Sequence, residues 1–147
     1  GLDESAGQKR QIYTVKEKDL KALKLGYRAG YIVKSVEHYI KKKDRIQRCI
    51  EKLAKEYKKQ EEENLFNELM KFPGVGAKVA DCIMLFATPC KNRFPIDTWI
   101  KKIMEEKYAM KVESKKDKDK VQKFVEVKFS PYAGIAQQYL FYSAIGD

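Results

Sequence analysis

Leu65-Phe66-Asn67-Glu68-Leu69-Met70-Lys71-Phe72-Pro73-Gly74-Val75-Gly76-Ala77-Lys78-Val79-Ala80-Asp81-Cys82 holds two helical apolar patterns separated by a short break. Leu65, Phe66, Leu69 and Met70 recur at helical spacing before Pro73, and Val79, Ile83, Leu85 and Phe86 do so after Gly76. The intervening Phe72-Pro73-Gly74-Val75-Gly76 is too short for a loop with structure of its own and too glycine-rich for a helix interior. The stretch predicts helix, tight hairpin, helix.

That shape has a chemical consequence. Gly74 and Gly76 carry no Cβ, so their backbone can approach another molecule closely. The second helix starts just after them, with unpaired N–H groups and the positive end of its dipole facing outward. Such a terminus binds a phosphate without side chains. A bare helix–helix turn with no ligand has the same sequence, and both readings stand at this point.

The 147-residue chain is one domain's worth of sequence, and 44% hydrophobic with 35% charged residues reads as globular and soluble. No apolar run is long enough to span a membrane, and no signal-peptide pattern opens the chain. Cys49, Cys82 and Cys90 lack metal-ligand spacing, and their sparse, odd count suits a reducing compartment. An intracellular location is expected: cytoplasm and nucleoid in a prokaryote, nucleus in a eukaryote. His38 is the sole histidine, which excludes a histidine-based metal site and leaves a surface or partly buried helix residue. The net charge of +10 favours a polyanionic partner through phosphate contacts, although a well-solvated surface can carry the same excess.

Residues 1–10 are polar and aperiodic and read as a flexible end, leaving 11–147 as one helical domain. A helix over 14–24 is expected, with Thr14 and Glu17 as a capping box and Gly26 in the turn that follows. Amphipathic patterns predict further helices at 28–42 and 44–58, and a charged connector over 58–64. After Thr88-Pro89 a loop reaches Pro95, and a helix of 98–108 follows Asp97. Residues 113–120 read as a solvated loop, with helices near 117–128 and 131–145 closing the chain. Nothing alternates as a strand does, so the expected class is all-α, without internal repeats.

Outward from the hairpin lie Phe94-Pro95-Ile96-Asp97-Thr98-Trp99-Ile100-Lys101-Lys102-Ile103, Leu25-Gly26-Tyr27-Arg28-Ala29 and Pro131-Tyr132-Ala133-Gly134-Ile135-Ala136-Gln137. With Leu69–Cys82 these segments resemble the helix-hairpin-helix DNA glycosylase superfamily, and within it the 8-oxoguanine DNA glycosylase/AP lyases. The motifs are spread over roughly residues 12–145, in the family's order. The resemblance implies base-excision repair by a bifunctional glycosylase/AP lyase. It would remove 8-oxoguanine from duplex DNA through a lysine Schiff base and β-elimination. The partner implied is double-stranded DNA containing 8-oxoguanine, met by a monomer. Two alternatives remain: a glycosylase for another damaged base, and a catalytically silent DNA-binding hairpin domain.

Lys78 and Asp97 carry the chemistry. Displacing a base from deoxyribose passes through a transition state of oxocarbenium character, which a carboxylate can stabilise while an amine attacks the carbon. The resemblance makes Lys78 nucleophile and lyase residue, with Asp97 its electrostatic partner. A helix lysine is otherwise usually solvated, and an aspartate before Thr98-Trp99-Ile100 is usually an N-cap. The same resemblance implies a base pocket in which Cys82 and Phe141 sandwich the purine and Gln137 meets its Watson–Crick edge. Gln137 and Phe141 are spaced to share a helical face. Tyr27 and Arg28 are implied as wedge and reader of the widowed cytosine, with Gly74, Gly76, Val79 and Trp99 completing the DNA-facing set.

No cofactor is required by this reading. The resemblance implies that the main-chain carbonyls of Met70, Phe72 and Val75 can hold a monovalent or divalent cation bridging to a phosphate. The superfamily's iron–sulfur branch has four clustered cysteines near its C-terminus; none occur here, so no cluster is expected. Two departures stand out. Trp99 occupies a position where animal members have histidine, and Trp cannot ion-pair a phosphate. The β domain and first helices of long members are also missing, so the chain is expected to be a piece of a longer glycosylase or a reduced form.

Overall fold

The computed structural model describes residues 16–146, and among them no residue lies in a strand. The helices are α1 (Glu17–Ala22), α2 (Arg28–Lys55), α3 (Lys59–Leu69), α4 (Ala77–Ala87), α5 (Thr98–Tyr108), α6 (Lys115–Phe129) and α7 (Ala133–Ile145). The all-α expectation holds. The flexible end at 1–10 and the Thr14 cap lie outside the described residues. α1 opens at Lys16, whose backbone N–H donates to Asp19 Oδ2 at 3.0 Å. Gly26 does supply the turn before α2, at φ +55°.

Three boundaries differ from expectation. The helices expected at 28–42 and 44–58 are one, because Lys41-Lys42-Lys43-Asp44 contains neither glycine nor proline to stop α2. Its buried positions continue past that point through Ile46, Cys49 and Leu53. The charged connector at 58–64 is largely the start of α3, where Glu61 and Glu62 favour the positive helix end. The loop expected at 113–120 is mostly helical, since Ser114 and Asp117 form a capping box that starts α6 at Lys115.

Apolar side chains gather in two clusters. The first joins Ile46, Cys49 and Leu53 of α2, Leu65 and Leu69 of α3, and Ala80 and Met84 of α4. The second joins Ile100, Ile103 and Met104 of α5 with Val121 and Val125 of α6 and Ala133 of α7. Residues 88–97 form a strap between them, with Cys90 buried in the first cluster and Phe94 in the second. Thr88 Oγ1 donates to Met84 O at 2.6 Å, and Lys91 Nζ donates to Leu85 O and Thr88 O at 3.1 and 2.9 Å. A lysine there satisfies carbonyls that a helix end otherwise leaves unpaired. Gly134 seals the seam: its N–H donates to Lys91 O at 2.9 Å, and a methyl group on it would lie 2.2 Å from Leu85 Cδ1.

Candidate active site

α2 holds the hairpin from below. Ser35 Oγ donates to Pro73 O at 3.2 Å, and the His38 ring stands edge-on to Phe72 with centroids 4.6 Å apart. The half-buried His38 is therefore a packing residue. Gly74 turns the chain at φ +79°, and Val75 N–H closes the turn on Phe72 O at 3.0 Å. Gly76 is extended and caps α4, with open space where a Cβ would point. Gly74 thus has an intramolecular reason to be glycine, whereas Gly76 has none. Lys78 follows in the first turn of α4, exposed to solvent.

Asp97 ends the strap. Its Oδ1 accepts from Ile100 N–H at 2.8 Å and so caps α5, which makes it the N-cap that its sequence context also allowed. Two helix starts thereby face one open cavity of about 630 Å³, with Lys78 on one side and Asp97 and Thr98 on another. Lys101, Val112, Glu113 and Lys118 complete the wall. One oxygen of Asp97 is committed to the cap, leaving its other oxygen for a ligand.

Cys82, Gln137 and Phe141 do not line this cavity. Burial pushes the half-buried Cys82 thiol above its ordinary range, against the opposing charge of Lys78. Gln137 is buried; its Nε2 donates to Pro95 O at 3.0 Å, and its Oε1 accepts from Gln138 Nε2. The amide expected to read a base is thus already spanning from α7 to the strap. Phe141 is half-buried against the second cluster, edge-on to Tyr142.

Tyr27 and Arg28 open α2 on the other side of the hairpin. They line a groove of about 670 Å³ with Tyr31, Phe72, Pro73 and Gly74. Tyr27 is 72% exposed, and the Arg28 guanidinium lies 5.0 Å from its ring centroid. Val79 and Trp99 are also largely exposed, at 40% and 44%, leaving apolar surface beside the candidate pair. Among the described residues no group of three His, Cys, Asp or Glu side chains could hold a metal. The hairpin carbonyls are a different kind of donor. Phe72 O already accepts from Val75 N–H, and Met70 O and Val75 O accept no hydrogen bond among the described residues. Neutral oxygen donors of this type suit a hard cation rather than a transition metal.

Two features escaped the sequence reading. The first turn of α6 contributes Lys118 to the cavity; the Ser114–Asp117 spacing was the available signal. Arg93 has no motif to announce it. Its Nε lies 2.7 Å from Glu62 Oε1 as an ion pair without hydrogen-bond alignment, and its Nη1 donates to Asp81 Oδ1 at 3.2 Å. Its guanidinium also covers the Phe66 ring at 4.6 Å. Burial and the nearby Glu62 carboxylate outweigh Arg93 and push the Asp81 carboxyl up to about 6.

With its hairpin opening a helix at a lysine and an aspartate capping the next helix across a shared cavity, the fold matches the helical domain of helix-hairpin-helix DNA glycosylases. No protein-family model matches the chain. A Saccharomyces cerevisiae N-glycosylase/DNA lyase is 28% identical, over 88% of this chain and 40% of that protein. Clostridium acetobutylicum 8-oxoguanine glycosylase/lyase, solved with duplex DNA containing cytosine opposite 8-oxoG, is 35% identical with a TM-score of 0.71. That match covers 92% of this chain and 43% of the solved one. MBOgg1, solved in complex with a low-affinity DNA ligand, is 28% identical with a TM-score of 0.76, over 94% and 45% of the two chains. The chain is similar in sequence and fold to these N-glycosylase/DNA lyases and 8-oxoguanine glycosylase/lyases, and it spans less than half the length of these relatives.

Proposed function

We propose that the chain carries the catalytic helices of a bifunctional glycosylase/lyase that removes 8-oxoguanine from double-stranded DNA in base-excision repair. The observation that carries this reading is the shared cavity of Lys78 and Asp97 at two helix starts. Lys78, as its free amine, attacks C1′ of the damaged nucleoside, and the C1′–N bond breaks as the base leaves with a proton. The Asp97 carboxylate stabilises the positive charge that develops on the sugar. Opening of the sugar ring, in which the C1′–O4′ bond breaks and O4′ takes up a proton, turns the adduct into an imine, whose C2′ proton is acidic; removing it expels the 3′ phosphate by β-elimination. Water then hydrolyses the imine and returns Lys78.

The base must leave the duplex first. Gly76, with open space above its Cα and free helix N–H groups beyond it, is suited to grip a backbone phosphate. The Met70, Phe72 and Val75 carbonyls would hold a hard cation there, supplying charge against that phosphate. Tyr27 can enter the gap left by the base and Arg28 can hydrogen-bond the widowed partner.

Borohydride reduction of the imine tests the reading. Duplexes with 8-oxoguanine opposite each normal base should yield a covalent protein–DNA adduct, and undamaged duplexes should not. Absence of any adduct would overturn it. The engagement of Gln137 by Pro95 O favours a second, narrower reading, a lyase acting on abasic sites without base recognition. Trapping on abasic duplexes alone would select it.

A further inference from the structure

Lys78 and Asp97 belong to different halves of the molecule. Lys78 rides on α4, which is built into the first apolar cluster, and Asp97 starts α5, which is built into the second. Their separation is therefore fixed by whatever ties the halves together near the cavity. The strap leaves Cys90 in one cluster and enters the other at Phe94, and Arg93 stands at that crossing. Its side chain is 18% exposed and turns back into the first half, between Glu62 of α3 and Asp81 of α4. Asp81 lies one helical turn beyond Lys78 on α4, on the same side of the helix.

We infer that Arg93 is the positioning residue that sets the Lys78–Asp97 geometry, by tying the strap that ends in Asp97 to the Glu62 and Asp81 carboxylates. The inference rests on the assignment of Lys78 and Asp97 as the reacting pair. A guanidinium suits the task because its planar fork holds two carboxylates in fixed directions, which a lysine ammonium cannot. Glu62 is itself held by Tyr57, whose hydroxyl donates to Glu62 Oε2, and the Phe66 ring supports the guanidinium face. Ion pairs of this burial add little net stability over apolar side chains, so their value lies in geometry. Small errors in the placement of reacting groups cost large factors in rate.

The test uses Arg93→Met, Asp81→Ala and Asp81→Asn with single-turnover borohydride trapping on an abasic duplex. Asp81→Ala removes the α4 tie and leaves the Arg93–Glu62 pair; Asp81→Asn keeps an acceptor for Nη1. At saturating DNA, Arg93→Met and Asp81→Ala should trap about tenfold more slowly than wild type, with affinity within about twofold. Asp81→Asn should recover most of the rate. A residue that serves only folding would lower thermal stability and leave the rate of the folded fraction unchanged. Should Arg93→Met fail to fold, the two Asp81 variants decide the matter. Wild-type rate in Asp81→Ala overturns the role of Arg93 alone, whereas a wild-type chain that never traps overturns the Lys78 assignment and this inference with it.

Discussion

The ring of Tyr31 fills the space that a side chain at Gly74 would need, since a methyl group there would lie 2.8 Å from Tyr31 Cδ2. Gly74 also has φ +79°, where side chains are strained whatever the space. Gly74→Ala should therefore lower stability by roughly 1–3 kcal/mol, through strain and overpacking. Gly76→Ala faces open space and should melt close to wild type while weakening all duplexes by similar factors. Thermal denaturation and binding titrations on both variants check this. Equal destabilisation by the two would mean that neither glycine is kept for a ligand.

Replacing the amine of Lys78 leaves the hairpin backbone untouched. Lys78→Gln should abolish borohydride trapping while retaining affinity for lesion-containing duplex, because the proposed phosphate grip uses main-chain N–H groups. Trapping at the wild-type level would transfer the nucleophile to another residue. Lys101 and Lys118 share the cavity and are the candidates to examine next.

The parts that follow local rules were legible in the sequence. The proline–glycine hairpin, the Asp97 cap and the bounds of α5 came out where the pattern put them. The joins did not. The break expected between the helices at 28–42 and 44–58 is absent, because nothing in Lys41-Lys42-Lys43-Asp44 stops a helix. The charged residues after Ser114 read as solvated loop and hid a capping box. The site was legible as residue types, through Lys78 and Asp97, but not as a meeting of two halves. Arg93 could not be found from spacing, since its carboxylate partners come from two different helices. Nor could Gln137's bond to Pro95 O, which joins residues 42 positions apart.

Asp81 makes stability depend on pH in a definite direction. Its carboxyl sits at about 6 in the folded protein against an ordinary 3.8, because burial disfavours the charged form. A raised carboxyl favours the folded state fully below about 4, and that contribution is lost as pH rises through about 6. The gap corresponds to at most on the order of 3 kcal/mol. Asp81→Asn, which never ionises, should melt higher than wild type at pH 7, and the difference should close as the pH falls towards 4. A difference independent of pH would show that Asp81 is ionised or neutral throughout that range.

Base recognition and sugar chemistry should separate unequally in two variants of α7. Phe141 packs against the second cluster with a ring that carries no polar atom, so Phe141→Ala should remove the stacking face proposed for the base, worth roughly 1–3 kcal/mol per base. Cleavage of 8-oxoguanine duplex should fall accordingly, and cleavage at a preformed abasic site, which needs no base recognition, should survive. Gln137 is different, because its Nε2 holds Pro95 O two residues before Asp97. Gln137→Ala leaves a buried carbonyl unpaired, at a cost of roughly 1–3 kcal/mol, and loosens the strap that delivers the carboxylate. It should slow both substrates, the 8-oxoguanine duplex more strongly because the purine edge is lost as well. Paired single-turnover cleavage of the two duplexes by each variant gives the comparison. Full abasic activity in Gln137→Ala would mean that the amide serves the base alone. Equal losses in Phe141→Ala would mean that its ring only supports the fold.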